Sequence, residues 1–264
     1  MQTWRLLKLE THDAFTNMAV DEAILTAKIV DLAPNTIRFY CWKPSAVSIG
    51  KFQNIQNEVQ LGNCRKLGVD VVRRITGGGT VYHDAEDEIT YSVVVSKHDL
   101  NTSDIGEVYA KIYSGMVEAL KTLGVTADFS EGNQKNCPNL TVKGKKISGS
   151  AQAHKSGVVL QHGTLLLNVD LKKMFTVLRV PWAKTCMQVV NIAKNKLTSI
   201  DMEVRRKISI EEANNALTKG FEKALNIKLK ERTLTAYELE LAEKLRKEKY
   251  ANEQWNLHAK SQTI

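Results

Sequence analysis

The sequence predicts an α+β fold in which a mixed, largely antiparallel sheet is flanked by helices. Strand-like segments follow one another at short spacing, and helical periodicity appears only occasionally between them. A doubly wound fold would instead alternate strands and helices regularly. With 264 residues and 43% hydrophobic content, the chain can bury one sizeable core. We therefore expect residues 1–264 to form a single domain.

The first half of the chain is predicted to hold most of the strands. A helix follows Asn17, a candidate N-cap, because apolar residues over 20–27 keep helical spacing. A second, shorter helix over 58–67 should stop at Gly68, since glycine commonly follows the last helical residue. Strands are expected at 4–9, 36–42, 46–49, 69–73, 80–83 and 89–96.

The second half is predicted to change from strands to helices. A long amphipathic helix covers 105–123 and ends at Gly124, and strands resume at 140–142, 146–151 and 158–167. Beyond Asp201 only helical patterns are visible, and two of these helices open with capping boxes that begin at Ser209 and Thr235. About 205–264 is therefore interpreted as a helical C-terminal extension.

Composition limits the possible classes of protein. No stretch approaches the roughly 18 consecutive apolar residues of a membrane span, and the first residues lack a basic segment followed by an apolar run. A cytoplasmic protein is therefore expected. The four cysteines are scattered without metal-ligand spacing, so neither a zinc site nor a disulfide framework is indicated. A formal charge of +8 favours an acidic partner, although a lysine-rich solvated surface explains the same charge.

The segment over 73–84, R-R-I-T-G-G-G-T-V-Y-H-D, is the most informative part of the chain. Three glycines let the backbone approach a ligand closely, and their N–H groups can cradle a phosphate. Arg73 and Arg74 supply fixed charge and bidentate geometry for a phosphoryl oxygen. The segment matches neither a P-loop nor a Rossmann fingerprint. It therefore predicts a different nucleotide cradle, although a bare glycine run alone would indicate a flexible hairpin.

Three further blocks accompany this segment in a fixed order. The first precedes it and consists of R-F-Y-C-W over 38–42 followed by V-S-I-G-K-F-Q-N over 47–54. The other two follow it, G-K-K-I-S-G-S-A over 144–151 and Q-H-G-T-L-L over 161–166. Together the blocks resemble those of lipoate-protein ligases. The resemblance implies the catalytic fold shared by biotin and lipoate ligases, and with it a single catalytic domain.

The resemblance also implies the residues of the site. Lys146 is implied to be catalytic and to contact the acyl carboxylate and the α-phosphate, which agrees with the need for a cation where these two anions meet. For His83 and His162 two interpretations stay open, a wall of the pocket or a satisfied structural histidine. ATP and lipoyl-adenylate are implied to bind at Arg74, Gly77, Gly78, Gly79, Thr80, Val81, Tyr82, His83 and Lys146, and no protein metal ligand is predicted.

The implied reaction activates lipoate with ATP to lipoyl-AMP and then transfers the lipoyl group to a lysine of a carrier. Magnesium is expected with ATP because it screens the phosphates. The implied carriers are lipoyl domains of 2-oxoacid dehydrogenase complexes or the glycine-cleavage H protein. The segment over 249–256 resembles the end of the large domain in bacterial lipoate ligases, and no accessory domain follows it. This resembles the archaeal arrangement, so a separate small accessory subunit is expected.

Several alternatives stay open from the sequence. An octanoyltransferase of the same fold would need a nucleophilic cysteine, for which Cys137 is the candidate. A basic nucleic-acid-binding protein is the alternative from a different class. An apolar slot for the lipoyl arm is expected from strand residues such as Val47, Val72 and Val93. Asn139 stands where the family commonly has an acidic residue, and Asp84, Glu86 and Asp87 are the nearby acidic residues.

Overall fold

The computed structural model describes residues 1–132, 138–180, 183 and 185–258. The strands in these residues are β1 Gln2–His12, β2 Thr36–Trp42, β3 Ala46–Ile49, β4 Asp70–Arg73, β5 Val81–His83, β6 Glu88–Ser96, β7 Asp128–Ser130, β8 Asn139–Val142, β9 Lys145–Lys155, β10 Val158–Leu166 and β11 Ile227–Glu231. The helices are α1 Ala14–Ile29, α2 Ile55–Glu58, α3 Leu61–Leu67, α4 Ile105–Thr122, α5 Leu171–Val177, α6 Cys186–Ala193, α7 Ile200–Val204, α8 Ile210–Leu225, α9 Ala236–Leu245 and α10 Glu253–His258, with a π-helical turn at Arg246–Tyr250.

Eight of these strands form a large mixed sheet in the order β11–β1–β2–β6–β10–β9–β8–β7. The pairs β11–β1 and β1–β2 are parallel, and the pairs from β2 onward are antiparallel. The α+β prediction with a mixed, largely antiparallel sheet is confirmed. A tight turn joins β8 to β9, and its residues Lys143 and Gly144 have positive φ.

The small sheet has the order β4–β3–β5, with β3 parallel to β4 and antiparallel to β5. The connection between β4 and β5 contains Gly77, Gly78 and Gly79, and we call residues 74–80 the glycine loop. The small sheet therefore fixes both ends of this loop.

Helices cover both faces of the large sheet. Val93 and Val95 of β6 point into a core with α4 and α8, whereas Val94 between them packs with α1 and α9, because neighbouring strand residues face opposite sides. Close approach of α4 and α8 depends on glycine, since a Cβ at Gly115 would lie 2.5 Å from the Phe221 ring. None of the helices in the described ranges is both long and apolar enough to cross a membrane.

Three features differ from the sequence prediction. Asn17 lies inside α1 rather than capping it, because Asp13 is the N-cap and its side chain accepts a hydrogen bond from Thr16 N. The region 205–264 is not purely helical, because β11 pairs in parallel with β1 and α8 contributes Phe221 to the main core. This region therefore belongs to the sheet and to the core. The helix predicted over 58–67 is divided into α2 and α3.

Candidate functional site

A cavity of about 290 Å³ lies between the small sheet and the centre of the large sheet. Its size is near the lower end for ligand pockets, which span roughly 300–1,000 Å³. Polar groups line it from the glycine loop, from β9 and from β10. The predicted site residues that line it are Arg74, Gly78, Gly79, Thr80, Val81, Tyr82, His83 and Lys146.

The glycine loop packs directly on the turn that follows β3. Lys51 N donates to Thr76 O at 2.8 Å. A Cβ placed on Gly50 would lie 2.1 Å from Gly78 O, so the turn and the loop can meet only because position 50 has no side chain. Gly78 has φ of +85°, which an L side chain rarely adopts. The conformation of the loop thus depends on glycines on both sides of this contact.

Arg73 and Arg74, the two arginines before the three glycines, have different roles. Arg73 is 1% exposed, and its guanidinium donates to the carbonyl oxygens of Gly50, Lys51 and Gln53 on one side and of Trp255 and Asn256 on the other. It joins α10 to the turn beneath the glycine loop. The expectation that both arginines offer charge to a phosphate is therefore wrong for Arg73.

Arg74 lines the cavity, but its guanidinium is bound by protein oxygens. It donates to both the carbonyl and the hydroxyl of Ser48, to the hydroxyl of Thr76, and to the carbonyl oxygens of Gly77 and Gly79. Gly77 itself is not among the lining residues, and it takes part through this carbonyl. Arg74 therefore shapes the glycine loop directly.

Lys146 is exposed at the edge of the cavity, near the start of β9. The pairing of β8 with β9 shifts register between Leu140 and Thr141, and such a bulge re-aims the side chains beside it. Gly149 makes room for the lysine, since a Cβ there would lie 2.5 Å from Lys146 Nζ. Asn139 Oδ1 also lies close by, at 3.5 Å from the position that a Cβ on Gly149 would occupy. An amide thus stands next to the lysine, at the position where the family commonly has an acidic residue.

Most of the apolar wall of the cavity comes from residues that the sequence did not single out. Val47, Val72 and Val93 are fully buried in separate cores and do not line the cavity, so the residues predicted for the apolar slot are wrong. Each of these valines packs instead inside a hydrophobic core, so other side chains cover it from the cavity. The apolar lining includes Met18, Trp42, Met174, Phe175, Leu178 and Leu197.

His83 is held on three sides at the floor of the cavity. Its Nε2 lies 2.8 Å from Ser48 Oγ, and its Nδ1 lies 2.7 Å from Glu88 Oε1. Its ring stacks on Trp42 with centroids 3.9 Å apart. The side chain both lines the cavity and has its polar atoms satisfied, so each of the two interpretations of His83 holds in part.

His162, on β10 of the large sheet, has an environment similar to that of His83. Its Nε2 lies 2.8 Å from Thr76 Oγ1 and its Nδ1 lies 2.9 Å from Asp21 Oδ2. Burial lowers the pKa of His162. Burial opposes ionisation of Asp21, but the hydrogen bond with His162 and the charge of Arg38 outweigh it and lower the pKa of that carboxyl. Asp21 is therefore a buried anion.

The acidic residues beside the loop are engaged with neighbours. Asp84 accepts hydrogen bonds from Lys173, at 2.8 Å, and from Tyr82. Asp87 accepts one from Asn168. Within the described residues no group of three or more His, Cys, Asp or Glu side chains could hold a metal ion. Cys137 lies outside the described residues.

Comparison with known proteins agrees with this geometry. A family model described as the lipoyl protein ligase A/B catalytic domain matches residues 13–222. Octanoyltransferases LipM of Brevibacillus brevis and Kyrpidia tusciae are 37% and 38% identical, each over 97% of this chain and 99% of their own.

Solved structures share the fold over the whole chain. A bi-partite lipoate protein ligase from Thermoplasma acidophilum, studied with its E2 lipoyl domain, has a TM-score of 0.87 and 32% identity and covers 100% of both chains. A lipoate-protein ligase A bound with ATP has a TM-score of 0.85 and 33% identity, covering 98% of this chain and 100% of that one. The biotin/lipoate ligase-like fold predicted from the sequence is confirmed for the lipoate ligases. The chain belongs to the family of lipoyl protein ligase A/B catalytic domains.

Proposed function

We propose that this enzyme of the lipoate ligase and transferase family is an ATP-dependent lipoate-protein ligase. The observation that supports this most is that Lys146 and the glycine loop line one cavity, so a cation and backbone donors would flank a ligand bound there. A carboxylate and a triphosphate repel each other, and ligation needs such groups where they meet. The cytoplasm, where ATP is available, is the proposed location.

The proposed reaction has two balanced steps. In the first, a carboxylate oxygen of lipoate forms a bond to the α-phosphorus of ATP, and the bond to pyrophosphate breaks. In the second, the amine of the carrier lysine forms a bond to the acyl carbon, AMP leaves, and the amine loses a proton. Lys146 screens the negative charge that gathers in the first step. Tyr82 and Thr80 bound the space in which the adenylate forms.

Magnesium would supply charge screening on the phosphates in the first step. The described residues contain no preformed carboxylate cluster, which suits an ion held mainly by phosphate oxygens and water. The protein would then position the nucleotide, and it would not supply a complete set of metal ligands.

The acceptor is proposed to be an acidic lipoyl carrier, either a lipoyl domain of a 2-oxoacid dehydrogenase complex or the glycine-cleavage H protein. Backbone pairing brings a second lysine-rich segment beside Lys146, because Lys146 N donates to Lys196 O and Lys145 Nζ donates to Lys194 O. These lysines would attract an acidic surface to the cavity mouth. The comparisons do not support the separate accessory subunit expected from the sequence.

A second candidate is an octanoyltransferase, favoured by the LipM relatives. That reaction would pass through a cysteine thioester, which needs a reactive thiolate. Burial raises the pKa of Cys41 and of Cys64 to about 11, and neither lines the cavity. Cys186 does not line it either. Cys137 is therefore the cysteine on which this candidate depends.

One assay separates the two candidates. The purified chain is incubated with lipoate, magnesium and a lipoyl domain, with and without ATP, and the lipoyl domain is weighed by mass spectrometry. We expect a lipoyl mass increment that requires ATP and survives Cys137→Ser. Transfer from octanoyl carrier protein without ATP, abolished by Cys137→Ser, would establish the transferase instead.

Lys146→Met tests the role of the cavity lysine. We expect lipoyl-AMP formation to fall by about 100-fold or more, as when one electrostatic donor to a transition state is removed. The exposed position of Lys146 predicts unchanged thermal stability. Lys121→Met, on the exposed side of α4, is the matched control and should retain full activity. Equal rates for the two variants would contradict the proposal.

A further inference from the structure

The five N–H groups of the Arg74 guanidinium meet five protein oxygens. Nε donates to Thr76 Oγ1 at 3.1 Å, and Nη1 donates to Ser48 O and Ser48 Oγ, each at 3.0 Å. Nη2 donates to Gly77 O at 2.8 Å and to Gly79 O at 2.7 Å. A guanidinium can only donate hydrogen bonds. Both hydroxyl groups must therefore accept from Arg74.

This requirement determines where the two hydroxyl protons go. The Ser48 hydroxyl has one further polar neighbour, His83 Nε2, and the Thr76 hydroxyl has one, His162 Nε2, each at 2.8 Å. In the described part of the chain neither hydroxyl has another acceptor. Each hydroxyl therefore donates to a histidine, and each of these Nε2 atoms carries no proton.

The opposite ring nitrogens must then carry the protons. His83 Nδ1 faces the carboxylate of Glu88 and His162 Nδ1 faces that of Asp21, at 2.7 and 2.9 Å. A neutral imidazole has one N–H, and a carboxylate is an acceptor. Both histidines are thus neutral Nδ1–H tautomers. Each histidine separates a buried carboxyl group from the central guanidinium, and Asp21 forms an ion pair with Arg38 as well.

The same network orients the glycine loop. In a trans peptide the C=O and the following N–H point in opposite directions. Because Arg74 binds Gly77 O and Gly79 O, the N–H groups of Gly78 and Thr80 point away from the guanidinium. Both residues line the cavity, and neither N–H has a protein acceptor among the described residues.

We propose that Ser48, Thr76, His83 and His162 are positioning residues that lock Arg74 and thereby aim the Gly78 and Thr80 N–H groups at an anionic ligand oxygen. We call these four residues with Arg74 the Arg74 hub. The hub rests on the proposed function only for the identity of that ligand, a phosphoryl oxygen. Its tautomers and its geometry are properties of the protein alone.

The first test is nitrogen NMR of the histidine side chains in the full chain without ligands. The hub predicts that His83 and His162 are both neutral with the proton on Nδ1 at pH 7.5. A protonated ring, or an Nε2–H tautomer, at either position would overturn it. This measurement needs neither ATP nor lipoate. A chain that fails to form lipoyl-AMP would therefore refute the proposed function without touching this result.

The second test compares Thr76→Ser, which keeps the hydroxyl, with Thr76→Val, which replaces it by a methyl group. We expect Thr76→Ser to retain the kcat/KM of acyl transfer and the tautomer of His162. Thr76→Val should lower kcat/KM by about tenfold to a hundredfold, as expected when a hydrogen bond to a charged group is lost, and should change the NMR signature of His162. Thr122→Ala, an exposed hydroxyl on α4, serves as the control. If both Thr76 variants keep the wild-type rate and the wild-type His162 signature, the positioning role is overturned.

Discussion

Replacing Gly50 by alanine tests whether the glycine loop must keep its contact with the turn after β3. The added Cβ would lie 2.1 Å from Gly78 O and 3.2 Å from the Gly77 carbonyl carbon. Cβ atoms essentially never approach another heavy atom closer than 3.0 Å. The loop must therefore retreat by about 0.9 Å. Both neighbours are backbone atoms, so no side-chain rotation can relieve the clash.

This retreat displaces the loop that Arg74 holds at the cavity. A misplacement of about 1 Å can reduce catalysis by about 100-fold, and we expect kcat/KM for acyl transfer to fall by that order in Gly50→Ala. Overpacking of this kind also lowers the free energy of unfolding by about 1–3 kcal/mol. The two losses have the same cause and should appear together.

The assay measures acyl transfer to a lipoyl domain beside chemical denaturation of the same preparation. Gly62→Ala is the matched control, because a Cβ there meets nothing within 4 Å and lies on α3. That variant should keep its activity and gain about 0.5–1 kcal/mol of stability from helix propensity. The reasoning is refuted if Gly50→Ala matches the wild type in both kcat/KM and the free energy of unfolding.

Two further predictions concern stability. The buried side chain of Asn256 accepts a hydrogen bond from Arg73 N and donates one to Tyr250 O. Asn256→Ala should therefore lower the free energy of unfolding, measured in urea, by about 2 kcal/mol or more, whereas the control Asn191→Ala, at an exposed position, should leave it unchanged. Equal unfolding midpoints for the two variants would contradict this prediction. Burial lowers the pKa of His162, so below about pH 6.5 the unfolded chain binds more protons at this residue and stability falls as pH decreases. Denaturation at pH 7.5 and 5.5 should show a larger loss for the wild type than for His162→Gln, and identical losses would speak against the assignment.

The sequence was sufficient where local chemistry decides the structure. Strands β2 and β3 have the predicted bounds, and α8 and α9 begin after Ser209 and Thr235, as their capping residues indicated. In α9 the reciprocal capping box forms, whereas at Ser209 only the hydroxyl half is observed because Glu212 pairs with Arg206. Such signals need only a few neighbouring residues.

The features of the site that the sequence did not reveal depend on residues distant in the chain or on which side of a strand a residue faces. Arg73 and Arg74 look equivalent in a motif, but neighbouring residues at a strand end point to opposite sides, and only Arg74 reaches the cavity. The alternation of side chains along a strand could have predicted that the two arginines have different roles. The pairing of His162 with Asp21 joins positions 141 residues apart, and no local pattern reports it. The roles of the predicted site residues in binding remain predictions.

The parallel pairing of β1 with β11 has a consequence for how the protein is made. During synthesis β1 is available at once, but its outer neighbour Ile227–Glu231 appears only after some 220 further residues have been added. Until then β1 remains an open sheet edge, which is a template for pairing with other chains. Completion of the large sheet therefore waits for late translation, and nascent chains shortened before residue 227 should be especially prone to self-association.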